Sequence, residues 1–181
     1  MGAGIPIRGL CGAIGAWCMN ILILCSGHYA RSPLAEVVLR GLLKKRSVNG
    51  VTVSSAGLLD WYDGWPVNEM VIRAAGWMEI PYLPTQPHQV TEAELAQANV
   101  ILVMERSHIE RLWQEYPQYA DKADLIMSLI GGAGEIPDPY PGLQPSDERP
   151  DDVRAYVAIG HLLQECFEQG LDTLLRMGKK P

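Results

Sequence analysis

Two hydrophobic patterns alternate along this chain. Short apolar runs at 21–24 (ILIL), 51–55 (VTVSS), 99–104 (NVILVM) and 123–129 (ADLIMSL) predict strands, β-branched or buried on both faces. Between them, apolar residues recur at helical spacing. Residues 33–46 place Leu34, Val37, Val38, Leu42 and Leu43 on one side and end in basic residues, as a helix C-terminus prefers. A second helix is predicted over 66–77, and Thr91 with Glu94 forms a capping box that opens a third. Ser107 with Glu110 reads as another such box, and one long helix runs from Asp151 to about Met177, with Pro150 just before it. Residues 79–90 and 131–150 are too rich in proline to be other than extended or looped. The alternation predicts a single α/β domain, a four-stranded parallel sheet flanked by helices on both faces. Its ligand is expected at the carboxyl ends of the strands.

Composition narrows what that ligand can be. A net charge of −6 and a sequence pI near 5.2 leave no broadly basic surface for nucleic acid, so any anion site must be local. Cys11, Cys18, Cys25 and Cys166 contain no C-x-x-C pair, which argues against zinc and a redox couple and for a reduced, cytoplasmic setting. Residues 1–18, glycine-rich and mildly apolar, imitate a signal peptide together with the 21–24 run. Cleavage before Cys25 would put Leu24 at the −1 position and would remove the first strand. Residues 1–18 are therefore read as a flexible extension, and 19–181 as the folded domain with no membrane-inserting segment.

The candidate chemistry sits where the first strand runs into a helix. In ILILCSGHYARSP (21–33), Cys25 ends the strand and Arg31 follows after Ser26, Gly27, His28, Tyr29 and Ala30. Five intervening residues let the loop curl until successive backbone N–H groups converge, a nest that binds anions, and the helix N-terminus adds partial positive charge. Such surroundings favour the thiolate, the nucleophilic form of cysteine. Arg31 offers a planar fork for two phosphoryl oxygens. Ser32 is expected as N-cap and Pro33 at the first helical position. A buried strand cysteine is usually inert filler; here the strand before, the glycine turn within and the helix after are each what an anion loop requires.

A thiolate that cleaves a phosphate ester needs a proton donor for the leaving oxygen. Asp138, in the loop after the fourth strand, is held between Pro137 and Pro139 and is the expected acid, with Asp60 and Asp63 second. Four aromatics, Trp61, Tyr62, Trp65 and Tyr140, fall on two loops at the same sheet edge. They either pin those loops or form a slot for a planar leaving group, with Trp61 and Tyr140 the expected substrate contacts.

On these residues the chain resembles the low-molecular-weight protein tyrosine phosphatases. Cys25, Arg31, Ser32 and Pro33 match the family's loop, Ser55-Ala56 its serine-alanine pair, Asp60-Trp61 its aspartate-tryptophan, and Asp138-Pro139-Tyr140 its aspartate-proline-tyrosine. The stretches VMERSH and EIPDPY look like the bacterial branch that acts beside tyrosine kinases controlling capsule and exopolysaccharide export. The resemblance implies a phosphotyrosyl protein as substrate, that kinase as a partner, and no metal or cofactor. It implies attack by Cys25, protonation by Asp138, a phosphocysteine intermediate, and a thiolate stabilised by Ser32.

Several positions depart from the family pattern. His28 stands where the family has an asparagine that braces the loop through a network reaching Ser55; a histidine can hydrogen-bond there and, if charged, support the thiolate. Tyr29 replaces a small aliphatic residue and Ala30 a second cysteine, so the family's protective disulfide cannot form. Thr85 stands near where many members of the family have a supporting histidine, and Pro141 replaces a second tyrosine. Two other readings compete with the tyrosine phosphatase: a protein-arginine phosphatase, which would turn on Tyr29, and a phosphate-binding module with an impaired loop. An arsenate reductase would need two further cysteines, and 75–95 holds none.

Overall fold

The computed structural model describes residues 18–81, 85–139 and 152–178. Four strands, β1 (Met19–Cys25), β2 (Val51–Gly57), β3 (Val100–Val103) and β4 (Ala123–Leu125), form one parallel sheet in the order β2-β1-β3-β4. Every neighbouring pair is parallel, with Cys25 opposite Gly57 and Leu24 opposite Val103. The helices are α1 (Arg31–Lys45), α2 (Glu69–Trp77), α3 (Glu92–Gln97), α4 (Arg106–Glu115), α5 (Pro117–Ala120) and α6 (Val153–Met177).

The two-residue period of β1 divides the core. Ile21, Ile23 and Cys25 point to the face packed by α1, α2 and α6, whereas Leu22 and Leu24 point to the face covered by Leu95 of α3, Leu112 of α4 and Ala120 of α5. Both faces are buried, as the apolar runs predicted. Because all strands are parallel, their carboxyl ends share one edge. Cys25, Gly57 and Met104 bring three loops together there, and Ile136 N–H donates to the Met104 carbonyl at 2.8 Å, drawing the 131–139 segment over that edge.

Four local expectations are corrected. Helix α1 begins at Arg31 with Ala30 as its N-cap, so Ser32 lies inside the first turn and its hydroxyl is free for other work; Pro33 remains where a missing N–H is harmless. Helix α2 begins at Glu69, capped by Asn68, whose side chain accepts from Met70 N–H. The Ser107–Glu110 box does not form: α4 starts at Arg106, whose N–H finds Glu135 instead. Strand β4 stops at Leu125, and 126–130 turn into a 3-10 helix packed on α6, where Gly170 leaves room for Leu129. The Thr91–Glu94 capping box is present. The expected extension, 1–18, lies outside the described residues except for Cys18; Cys25 and Cys166 are free.

Candidate active site

The Cys25–Arg31 loop is clamped from the β2 side. Leu58 N–H donates to the Cys25 carbonyl at 2.9 Å and Leu59 N–H to the Ser26 carbonyl at 2.8 Å. Gly57 permits this approach, since a Cβ there would stand 2.9 Å from the Gly27 carbonyl carbon, the His28 nitrogen and the Leu59 oxygen. Cys25 is buried at the loop's start, and its Sγ lies 3.1 Å from Ser32 Oγ, which is also 3.2 Å from the Ala56 carbonyl. That hydroxyl has one proton and two partners. With a neutral thiol it can donate to Ala56 and accept S–H; with a thiolate it can turn and donate to sulfur. The serine is thus placed to follow the charge on Cys25.

Arg31 is 4% exposed, and its guanidinium faces two carboxylates. Nη1 donates to Glu105 Oε1 at 3.0 Å and Nη2 pairs with Asp138 Oδ2 at 2.9 Å. Nη1 is also 3.4 Å from the Ile136 carbonyl. Asp138, expected as the acid, therefore does reach Arg31, and it keeps substantial exposure. Asp60 and Asp63 sit exposed in a turn closed by Asp63 N–H and the Asp60 carbonyl, and the charge of Asp63 acts on His88 instead.

Glu105 was not singled out by the sequence. It follows β3 after Met104, and a charged residue just past the carboxyl end of a buried strand was the available signal. Besides Arg31 it accepts from His108 Nε2 at 3.1 Å, and that imidazole is 3.0 Å from Ser26 Oγ. The His108 hydrogen bond, joined by the Arg31 charge and opposed by partial burial, lowers the Glu105 pKa to about 2. Burial lowers that of His108 itself, so its proton is best placed on Nε2, facing the carboxylate.

Of the aromatics, Tyr62 is buried and lies on Gly27, where a Cβ would come within 2.5 Å of its ring. Tyr29 stacks on Tyr62 with ring centroids 4.3 Å apart, and Trp65 meets both edge-on. These three pin the loop. Trp61 is 44% exposed and, with Ser26, His108 and Arg111, lines a depression beside the phosphate loop. Tyr140 lies outside the described residues, as does Pro141.

His28 is buried and left-handed, at φ 52°. Its Nε2 is 2.8 Å from Ser55 Oγ, the network expected of an asparagine at this position. Burial, with the nearby His88 charge, pushes its pKa down to about 3, so it is neutral and lends no charge to the thiolate, contrary to one sequence expectation. Ser55 in turn donates to the buried carboxylate of Glu36.

Known proteins share this fold. The family described as low molecular weight phosphotyrosine protein phosphatase matches residues 20–175. The low molecular weight protein-tyrosine-phosphatase YfkJ of Bacillus subtilis is 29% identical over 141 residues, spanning 67% of this chain and 81% of that protein. The protein-arginine-phosphatase of the same organism is 26% identical over 125 residues, spanning 68% and 81%. Vibrio vulnificus Wzb, solved in complex with benzylphosphonate, superposes with a TM-score of 0.72 at 31% identity, covering 86% of this chain and 99% of that one. With a match across most of its length, and Cys25, Arg31 and Asp138 at one sheet edge, the chain belongs to the low molecular weight phosphotyrosine protein phosphatase family.

Proposed function

We propose that this protein hydrolyses phosphotyrosine monoesters in proteins through a phosphocysteine intermediate. The observation that carries the reading is the meeting of Asp138 with Arg31 over the loop that holds Cys25. The Cys25 thiolate attacks phosphorus as the bond from phosphorus to the tyrosyl oxygen breaks, and the Asp138 carboxyl gives its proton to that oxygen. Water then attacks the phosphocysteine. Asp138, now a carboxylate, takes the water's proton, the S–P bond breaks, and inorganic phosphate leaves with the thiolate restored. Arg31 and the loop amides hold the equatorial oxygens in both steps, and Ser32 donates to sulfur whenever it carries charge. Benzylphosphonate, the ligand of the Wzb relative, carries a ring and a phosphonate at the spacing of a phosphotyrosyl head, which supports an aryl leaving group.

A second substrate class has its own support, since one curated relative is a protein-arginine-phosphatase. Tyr29, half-buried in the loop and backed by the parallel ring of Tyr62, favours the aryl substrate, because an aromatic side chain within the loop suits a phenyl ring. The reading also includes a cytoplasmic setting and, on the VMERSH and EIPDPY stretches alone, a kinase of exopolysaccharide export as partner. Among the described residues no helix is long and apolar enough to cross a membrane.

The test is hydrolysis of p-nitrophenyl phosphate, a phosphotyrosyl peptide and a phosphoarginyl peptide by wild type, Cys25→Ser and Asp138→Ala. Wild type should cleave the first two and Cys25→Ser none. A wild type as inert as Cys25→Ser would point to a binding module, and preference for phosphoarginine would replace the tyrosine reading.

A further inference from the structure

One residue of the Cys25–Arg31 loop holds a proton for which the described residues offer no acceptor. His108 Nε2 lies 3.1 Å from Glu105 Oε1 and 3.0 Å from Ser26 Oγ. Glu105 also receives Arg31 and, as a carboxylate, can only accept, so Nε2 must carry the ring's proton. The other ring nitrogen, Nδ1, is buried without a hydrogen-bond partner; a proton there would be a stranded donor, so the ring is neutral. The single Nε2–H is therefore shared between Glu105 and Ser26, and the serine oxygen accepts. A hydroxyl that accepts from its neighbour keeps its own proton to give, and among the described residues no other hydrogen bond engages Ser26 Oγ.

Ser26 is half-buried and lines the depression beside the loop, which measures about 290 Å³. Leu59 and the exposed Trp61 make part of its wall apolar, and α4 contributes Glu110 and Arg111. Arg111 is already paired with Glu115, and the charge of Glu105 lies behind His108, so the lining offers no uncommitted cation. A carboxylate entering here would meet Glu110 with nothing to balance it. What suits the depression is a neutral hydrogen-bond acceptor accompanied by apolar surface, which a peptide main chain carrying an aliphatic side chain presents. Ser26 directly follows Cys25, so a chain lying in the depression is continuous with a group held over the sulfur.

We propose that Ser26 is a specificity-determining residue, whose hydroxyl proton, left free by the His108 N–H, donates to a main-chain carbonyl of the substrate beside its phosphotyrosine while the adjoining side chain rests on Leu59 and Trp61. His108 is the positioning residue for that hydroxyl. The inference rests on the phosphatase reading above and adds to it a preference for neutral, apolar residues over acidic ones next to the phosphotyrosine.

Two phosphotyrosyl peptides, one with leucine and one with aspartate on both sides of the phosphotyrosine, test it beside p-nitrophenyl phosphate. Wild type should show a kcat/KM roughly fivefold or more higher for the leucine peptide, with the difference lying in KM; equal or faster turnover of the aspartate peptide would overturn the subsite. In Ser26→Ala, kcat/KM for the leucine peptide relative to that for p-nitrophenyl phosphate should fall roughly fivefold, about the worth of one neutral hydrogen bond, and Ser26→Thr should restore it. A ratio unchanged in Ser26→Ala, with both substrates losing alike, would assign the hydroxyl to the phosphoryl group and overturn the subsite. Calorimetric titration of the leucine peptide into Cys25→Ser, with and without Ser26→Ala, reads binding apart from turnover, and the added substitution should weaken it roughly fivefold. If wild type cleaves no phosphomonoester but this difference is present, the phosphatase reading fails and the subsite stands. If phosphotyrosine is cleaved and the difference is absent, the subsite fails alone.

Discussion

Arg31 Nη2 and Asp138 Oδ2 stand 2.9 Å apart, so the guanidinium proposed to clamp phosphate and the proposed acid hold one another. A phosphoryl oxygen arriving at Arg31 must displace that carboxylate, and the displaced carboxylate is then positioned beside the leaving oxygen. Asp138→Asn should separate the two roles. Phosphate and vanadate should bind more tightly because their competitor has lost its charge, while kcat falls by roughly the 10²-fold or more associated with a general acid. Inhibition constants and kcat measured on the same variant check this, and weaker anion binding would contradict it.

Glu105 lies on the same guanidinium, yet its substitution should act in the opposite sense. It is fixed from behind by His108 and less exposed than Asp138, so it serves as the anchor from which Arg31 reaches forward. Glu105→Gln keeps the shape and removes the charge. A charge-assisted hydrogen bond is worth about 1.5–3 kcal/mol, and losing part of it should weaken vanadate binding roughly tenfold and lower kcat/KM similarly. The folded pKa is depressed to about 2 from an ordinary 4.5, so the stabilisation from Glu105 is complete above pH 4.5 and is lost as pH falls toward 2. Urea titrations between those limits should show a shallower slope in Glu105→Gln than in wild type.

At Gly57 the loop and β2 touch backbone to backbone. An alanine Cβ would meet three main-chain atoms at 2.9 Å, and main chain has no rotamer by which to move aside. Gly57→Ala should cost about 1–3 kcal/mol as an overpacked site and should shift the loop, with kcat dropping more than tenfold. Thermal unfolding and turnover together check it, and an unchanged kcat would show that the loop can slide on β2.

The strands and the nucleophile loop were readable because local signals agreed there: continuous apolar runs, a turn and a helix start within a few residues of Cys25. Side-chain employment was not readable in the same way. Ser32 carries every mark of an N-cap, but the sulfur of Cys25 and the Ala56 carbonyl claim its hydroxyl, and that competition exists only after β1 and β2 pair. Likewise Ser107 and Glu110 have capping-box spacing, yet Glu105, drawn to Arg31 and His108, sets where α4 begins. Strand β4 was predicted too long because the apolar residues 126–130 serve α6 rather than the sheet. Tyr62 and Trp61 are adjacent in sequence, and only the stack on Tyr29 tells the pinning ring from the exposed one.

The acid side of the stability profile should carry the mark of His28. An unfolded chain protonates this histidine near pH 6.5, whereas the native state resists until about pH 3, through burial first and the His88 charge second. Between those values the unfolded state binds the additional proton. The contribution of His28 is therefore fully present above pH 6.5 and drains away as pH falls toward 3, at no more than about 1.4 kcal/mol per pH unit for one proton. His88 works the other way: its folded pKa is raised, so its contribution is complete below 6.5 and fades as pH climbs through the folded value. Subtracting the urea stability of His28→Asn from that of wild type at each pH removes what the two share and leaves the His28 term. That difference should be flat above about pH 6.5 and should fall steadily below it. A difference independent of pH across this window would mean that the native ring accepts its proton as readily as the unfolded one, and would place His28 in contact with solvent rather than sealed between Ser55 and the His88 main chain.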